Sequence, residues 1–283
     1  MHELIAWGLD ECPHRCVAIG RGQGDFAKTV ENARKRLATR ESYVSFPAWL
    51  EEETETIKHL LTISARRPDL QEEYKDLDWT LGVVDLRHLL AFQRRLIFSF
   101  TQQHLSIPGP DDWPRLISFA FESERNTCHR IISTESTADR LDFSLSSGNP
   151  DLQLRLKPKT GDGDRSPLFL YGGSPFLEVA ELRGRSFLRD GYHRAYRLLQ
   201  AGINRVPAVV IFARTIEELG ATAPWFFSEE QLFSDHPPQV VDFLEESLVF
   251  RYERPALRKM IRVCIEESLQ PFDEIDEVLG DIL

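Results

Sequence analysis

The sequence predicts an α+β fold on three observations. These are apolar residues at helical spacing in the first quarter, period-two apolar alternation in the middle, and a strand, tight turn, helix and strand in succession between residues 177 and 212. In residues 25–41, Phe26, Val30, Ala33 and Leu37 share one helical face, and Asp25 stands where an N-cap takes up the first free amides. A second helix is expected after Phe46, with Pro47 in its first turn, Trp49, Leu50, Ile57, Leu60 and Leu61 on one side, and its end by Arg66-Arg67-Pro68. The β-branched content around Thr80, Val83 and Val84 predicts a short strand, followed by a helical run through Leu89, Leu90, Phe92, Leu96 and Ile97. After a turn-rich stretch between Pro108 and Pro114, Leu141/Phe143/Leu145 and Leu152/Leu154/Leu156 alternate as half-buried strands of an antiparallel meander do. Residues 157–167, with Pro158, Gly161 and Gly163, read as a hairpin loop.

Residues 177–182 and 185–189 predict a hairpin turning at Arg183-Gly184. Asp190-Gly191 breaks its second strand, residues 192–201 form a helix that Gly202 ends, and residues 206–212 form a new strand. Beyond it, helices are expected at 238–250 and 255–269, before an acidic tail. The expected organisation is a helical N-terminal region (1–78), a mixed-sheet core with a long insertion (79–213) and a helical C-terminal extension (214–283).

Composition narrows the function. The chain has 283 residues, 42% of them hydrophobic, enough for one large domain or two modest ones of ~150 residues. Its formal net charge of −11 opposes sequence-independent attraction to phosphate polymers or anionic lipid. The longest apolar stretch, residues 206–213, is far shorter than the ~20 residues of a membrane-spanning helix and contains Pro207, so no membrane partner is expected. The first ten residues lack the basic start and long apolar centre of a secretory signal. Four cysteines (Cys12, Cys16, Cys128, Cys264) make no disulfide framework. The expectation is a cytoplasmic protein.

The average hides a local concentration of positive charge. Residues 183–214 hold seven arginines (183, 185, 189, 194, 197, 205 and 214) and one acid, Asp190, a local charge of +6. A helix N-terminus presents unpaired amides and the positive end of the dipole, so Asp190-Gly191-Tyr192-His193-Arg194 would gather amides, an imidazole and a guanidinium around a small concavity suited to phosphate. Arg194 offers a bidentate fork, His193 a donor, and Gly191 a close backbone approach. The plainer alternative is an Asp-Gly turn starting a helix, with His193 and Arg194 solvated or paired with Glu178 and Glu181, and Tyr192 serving as packing.

The stretch Phe187-Leu188-Arg189-Asp190-Gly191-Tyr192-His193-Arg194-Ala195-Tyr196, with Gly202-Ile203-Asn204-Arg205-Val206-Pro207 leading the next strand, resembles the ParB/sulfiredoxin-like superfamily. Val83-Val84-Asp85-Leu86 resembles that family's first strand more weakly, and the strong match covers roughly a tenth of the chain. The resemblance implies a ParB/sulfiredoxin-like core and a pocket for ATP, ADP or CTP at this turn. Sulfiredoxins carry a catalytic Cys immediately before the His-Arg pair. Tyr192 stands there, and a phenol of reference pKa ~10 does not replace a thiolate. The Glu-Arg-Arg motif and helix-turn-helix of chromosome-partitioning members are not evident, whereas the Asp-Gly-His-His-Arg turn of free-serine kinases is closer.

The resulting site comprises Gly191, Tyr192, His193, Arg194, Arg185 and Arg189 for a nucleotide, with Asp190, His193, Glu178 and Glu181 as catalytic candidates. Glu178, Glu181 and Asp85 are the carboxylates to orient a nucleophile or hold Mg²⁺. The expected function is nucleotide (phosphate) binding, with small-molecule kinase or nucleotide triphosphatase chemistry if there is turnover. The alternatives are a non-catalytic nucleotide-gated module whose helical ends bind a protein partner, and a DNA-binding or nuclease protein. Cys12-Pro13-His14-Arg15-Cys16 is short of the four ligands of a closed zinc site, and residues 20–24 lack the Gly-Lys-Ser/Thr of a phosphate loop. The basic stretch 251–262 is assigned to the acidic tail rather than to nucleic acid.

Overall fold

A mixed six-stranded sheet carries the turn at residues 190–194. The computed structural model describes residues 1–8, 17–18, 26–47, 49–50, 54–98, 106–121, 130–137, 139–147, 152–156, 168–171, 174–222, 226–253 and 258–266. The Cys12/Cys16 pair, the 20–24 glycine run, the Asp25 cap, the 157–167 loop and the acidic residues beyond 266 lie outside them. The chain divides into two compact units, residues 1–124 with 174–255 and residues 125–173 with 256–283. The expected boundaries near 78 and 213 both fall inside the first unit.

Before the insertion the elements are β1 (His2–Leu4), β2 (Val17–Ala18), α1 (Phe26–Ala38), β3 (Trp49–Leu50), α2 (Glu55–Ala65), α3 (Pro68–Glu73), β4 (Trp79–Asp85), β5 (Leu90–Ala91), β6 (Arg95–Leu96) and α4 (Trp113–Ala120). Four strands follow: β7 (Arg130–Ser136), β8 (Arg140–Ser147), β9 (Gln153–Leu156) and β10 (Leu168–Tyr171). The remainder comprises β11 (Glu178–Leu182), β12 (Arg185–Asp190), α5 (Tyr192–Gln200), β13 (Arg205–Phe212), α6 (Ile216–Leu219), α7 (Glu229–Leu232), β14 (Val249–Glu253) and β15 (Lys259–Glu266). This is an α+β protein. Among the described residues no helix is long and apolar enough to cross a membrane.

The six-stranded sheet of the first unit has the order β3-β4-β13-β11-β12-β5. The β13 strand runs parallel to β11 and antiparallel to β4, while β12 is antiparallel to β11 and parallel to β5. Near-continuous apolar sequence makes β13 a central strand: Val206 through Ile211 are all buried. A second sheet of the same unit, β2-β14-β1-β6, is antiparallel and buries Glu3, whose carboxylate accepts the Tyr252 hydroxyl at 2.5 Å.

Three expected helical stretches differ in the structure. Trp49 and Leu50 pair with Val84 and Val83, and the helix starts only at Glu55, where the Thr54 hydroxyl accepts the Ile57 amide. Gly82 makes that pairing fit, since a Cβ there would lie 2.7 Å from the Trp49 Nε1. The run through residues 89–97 is instead a 3-10 turn (Leu86–His88) and the short strands β5 and β6, because Leu90 finds Phe187 and Leu96 finds His2 as sheet partners. The helical C-terminal extension is likewise corrected. Residues 238–250 hold a 3-10 turn (Val240–Leu244) and the start of β14, and residues 259–266 form β15, pairing with β8 along their length. Side-chain period alone does not settle a short apolar run when a strand partner is supplied from elsewhere in the chain.

The second unit holds the expected antiparallel strands, but β8 and β9 lie in separate sheets rather than pairing as one meander. The order β15-β8-β7 is antiparallel throughout, and β9 pairs antiparallel with β10. Leu145 and Leu152 are buried there, but burial along β8 does not alternate, since Ser146 and Ser147 are buried with Leu145.

Candidate functional site

Local sequence builds the turn almost entirely. Arg183 (φ 52°) and Gly184 (φ 74°) make the two-residue connection between β11 and β12, where positive φ at both positions matches the strand twist. Glu178 then pairs with Asp190 but Val179 with Leu188, so Arg189 is the extra residue of a bulge that re-aims it at the end of the strand. Gly191 starts α5 at φ 87°, and a Cβ there would sit 3.1 Å from the Leu177 Cα. The helix forms because Tyr192, Ala195, Tyr196 and Leu199 recur at i, i+3, i+4 and i+7 and are buried together. It ends at Gly202 (φ 75°), where the Ile203 amide reaches the Leu198 carbonyl at 2.9 Å and the Gly202 amide reaches that of Leu199 at 3.0 Å, a Schellman pair.

The first turn of α5 has no side-chain cap. Asp190 Oδ1 instead accepts the Gly191 amide at 2.5 Å. Tyr192 is buried, its phenol oxygen accepting the Phe92 and Gln93 amides at 3.0 and 3.3 Å, and burial pushes its pKa upward. His193 donates Nε2–H to the Ile97 carbonyl at 2.9 Å and lies edge-on to Phe98. Arg194 places Nη1 3.1 Å from both the Phe119 and Ala120 carbonyls, a cation on the last carbonyls of α4.

The other arginines of the +6 window go separate ways. Arg189 donates to Glu178 Oε2 at 2.7 Å, and the Tyr74 hydroxyl donates to Glu178 Oε1 at 2.5 Å, so a fully buried carboxylate is held from both sides. Arg185 donates to the Leu232 and Ser234 carbonyls at 2.9 Å and stacks over Tyr43. Arg183 pairs with Glu229 and Arg214 with Glu218. Glu178, Arg189, Asp190 and Gly191 are thus brought together. Glu181 lies three residues along β11 from Glu178 and pairs in register with Ser186. Asp85 pairs with Arg205 while Glu178 pairs with Val209, four residues or ~13 Å along β13, and Asp85 is occupied in holding Arg87.

Sequence reading missed Tyr74, the Ile97 carbonyl and the α4 carbonyls. Tyr74 is 104 residues from Glu178, and no local pattern marks that contact. Two open grooves have no residue of the turn in their lining, one of ≈ 480 Å³ beside Arg94, Phe226 and Phe227, and one of ≈ 540 Å³ flanked by Lys58, Arg66 and Thr80. Among the described residues no group of three or more His, Cys, Asp or Glu could hold a metal ion. Compared with protein-family models, curated proteins and solved structures, the chain gives no match.

Two histidines near the start of α5 make stability depend on pH. His2 packs against Phe98 and Tyr196, and burial, then Arg251 and the N-terminal ammonium, push its pKa down to about 4. Burial also lowers that of His193, with Arg194 adding to the effect and the Ile97 carbonyl opposing it. The unfolded chain therefore binds protons below about 6.5 that the folded chain refuses, so this contribution to stability is full above about 6.5 and falls as pH drops towards the folded values. Urea unfolding at about pH 7.5 and about pH 5 should show the loss, and His2→Gln with His193→Gln should flatten it. An unchanged slope in that double variant would assign the dependence to other groups.

Proposed function

We propose that this chain is a nucleotide-binding protein of ParB/sulfiredoxin-like type that takes a phosphate group at the β12–α5 turn, and that it binds rather than turns over its ligand. The observation that carries this reading is the junction itself: a left-handed Gly191 opens a nine-residue amphipathic helix that lacks a side-chain cap. Such a helix end offers amides and a positive dipole to an oxyanion. ATP, ADP and CTP are the ligands of that class, and Mg²⁺ would arrive on their phosphates. Binding is favoured over kinase or triphosphatase chemistry because the carboxylates at the turn are engaged, both oxygens of Glu178 by Tyr74 and Arg189 and Asp190 Oδ1 by the Gly191 amide.

Calorimetry with ATP, ADP, CTP and GTP, each with and without Mg²⁺, tests it. The expected result is saturable binding of at least one nucleotide, competed by pyrophosphate and weakened at least about tenfold (~1.4 kcal/mol) in a still-folded His193→Ala or Arg194→Ala variant, with no product formed. Accumulating product would make the protein an enzyme. Absence of heat with every nucleotide at about 1 mM would sink the reading.

A second reading, an interaction module without a nucleotide, is favoured by one observation: His193 and Arg194 already hold the protein's own carbonyls. Duplex DNA is a third ligand to include in the panel, where a salt-dependent shift would be required.

A further inference from the structure

We propose that β15 is a self-association edge, through which two copies of this chain pair antiparallel about a two-fold axis at Cys264 and join their three-stranded sheets into one of six. In the order β15-β8-β7, and among the described residues, β15 is bonded on one side only, to β8, with all eight residues 259–266 in unbroken register. An open edge presents a row of unpaired amides and carbonyls to another strand, and natural edges are usually blunted by charged side chains, proline, a bulge, brevity or a covering segment. This strand has no proline and no bulge, and it exposes Met260 (59%), Ile265 (42%) and the free Cys264.

Its own sequence fits a second copy in one register. With Cys264 opposite Cys264, Arg262 faces Glu266 and Val263 faces Ile265, each pair occurring twice by symmetry. Residues 262, 264 and 266 share one face of the strand and residues 263 and 265 the other, so every pair meets on its own face. The ends are available: the Arg262 and Glu266 side chains are 70% and 63% exposed. Glu266, already held by Arg140 at 2.8 Å on its own sheet, would then lie between two guanidinium groups. On the opposite face Leu141, Ile265, Val263 of the second copy and its Phe143 would form a continuous apolar row, extending the pairs that β8 already makes with β15. Axes through Arg262 or Glu266 would set like charges face to face, and axes through Val263 or Ile265 would make neither ion pair.

Five residues per strand is a small contact, so association is weak and concentration-dependent. Sedimentation of the full chain from about 10 to about 500 µM should show mass rising from monomer to dimer. Arg262→Glu alone and Glu266→Arg alone should each weaken dimerisation at least about tenfold, and an equimolar mixture of the two should restore it, since each reversed charge then meets its complement. That mixture separates the interface from any loss of folding. With Cys12, Cys16 and Cys128 replaced by serine, a short bis-maleimide should cross-link the chain into a dimer, and adding Cys264→Ser should abolish the product. A monomer over the whole range overturns the proposal. So do single variants that dimerise like the wild type, and a mixture that does not recover.

Discussion

Glu178→Ala is expected to cost about 3–5 kcal/mol of stability, because it breaks a buried ion pair and leaves both partners behind. The carboxylate is 2% exposed and receives Arg189 at 2.7 Å and the Tyr74 hydroxyl at 2.5 Å. Its removal takes a charge-assisted bond from the Arg189 guanidinium, whose side chain is 25% exposed, and strands a phenol that is itself fully buried and cannot regain water. Burial and the nearby Glu178 charge already drive the Tyr74 pKa well above its ordinary value, which keeps the phenol a donor at every accessible pH. At ~2–4 °C per kcal/mol for a unit of this size, the melting temperature should fall by roughly 10 °C. Glu178→Gln keeps an acceptor for Tyr74 and should lose less. A loss below about 1 kcal/mol would mean that Arg189 and Tyr74 find replacement partners.

Gly191→Ala should destabilise by about 3 kcal/mol, through two effects that a control can separate. A side chain at φ 87° costs ~1–2 kcal/mol by itself. The new Cβ would also lie 3.1 Å from the Leu177 Cα, a backbone atom held on both sides: the Leu177 amide donates to Ala120 and its carbonyl accepts from Val209. Gly184 has a similar φ of 74° but nothing within 4 Å of an added Cβ, so Gly184→Ala should show the conformational cost alone, about 1 kcal/mol. Guanidinium unfolding of the two variants measures the difference. Equal losses would show that the strand end at Leu177 yields to the methyl group.

These two positions differ in how far they could be read from the chain. Asp-Gly before a helical pattern marks Gly191 as the breaker between β12 and α5, and Gly202 marks the other end of that helix, because both signals are local backbone demands. The hairpin at Arg183-Gly184 and the strand beginning at Val206 were legible for the same reason. Glu178 was legible only as a carboxylate near the turn. Its holding by Tyr74 depends on α3 reaching a strand that begins 104 residues later.

Charge was the least legible property. The +6 window reads in sequence as one basic site, yet the fold sends Arg183 to Glu229, Arg185 to two carbonyls at the end of α7, Arg189 to Glu178, Arg194 to the end of α4 and Arg214 to Glu218. A guanidinium close to helix-end carbonyls or a buried carboxylate is fixed by the desolvation those groups would otherwise suffer, and sequence distance does not enter.

What the sequence by itself determined is the α+β class, the β11–β12 hairpin and the glycine-bounded helix α5, since hydrophobic period and positive-φ glycines act over a few residues. What only the tertiary structure decided is which short apolar runs became strands and which side chains of the turn are already engaged. Strand formation at β5, β6, β14 and β15 needs a hydrogen-bonding partner from elsewhere in the chain, and so does each engaged charge.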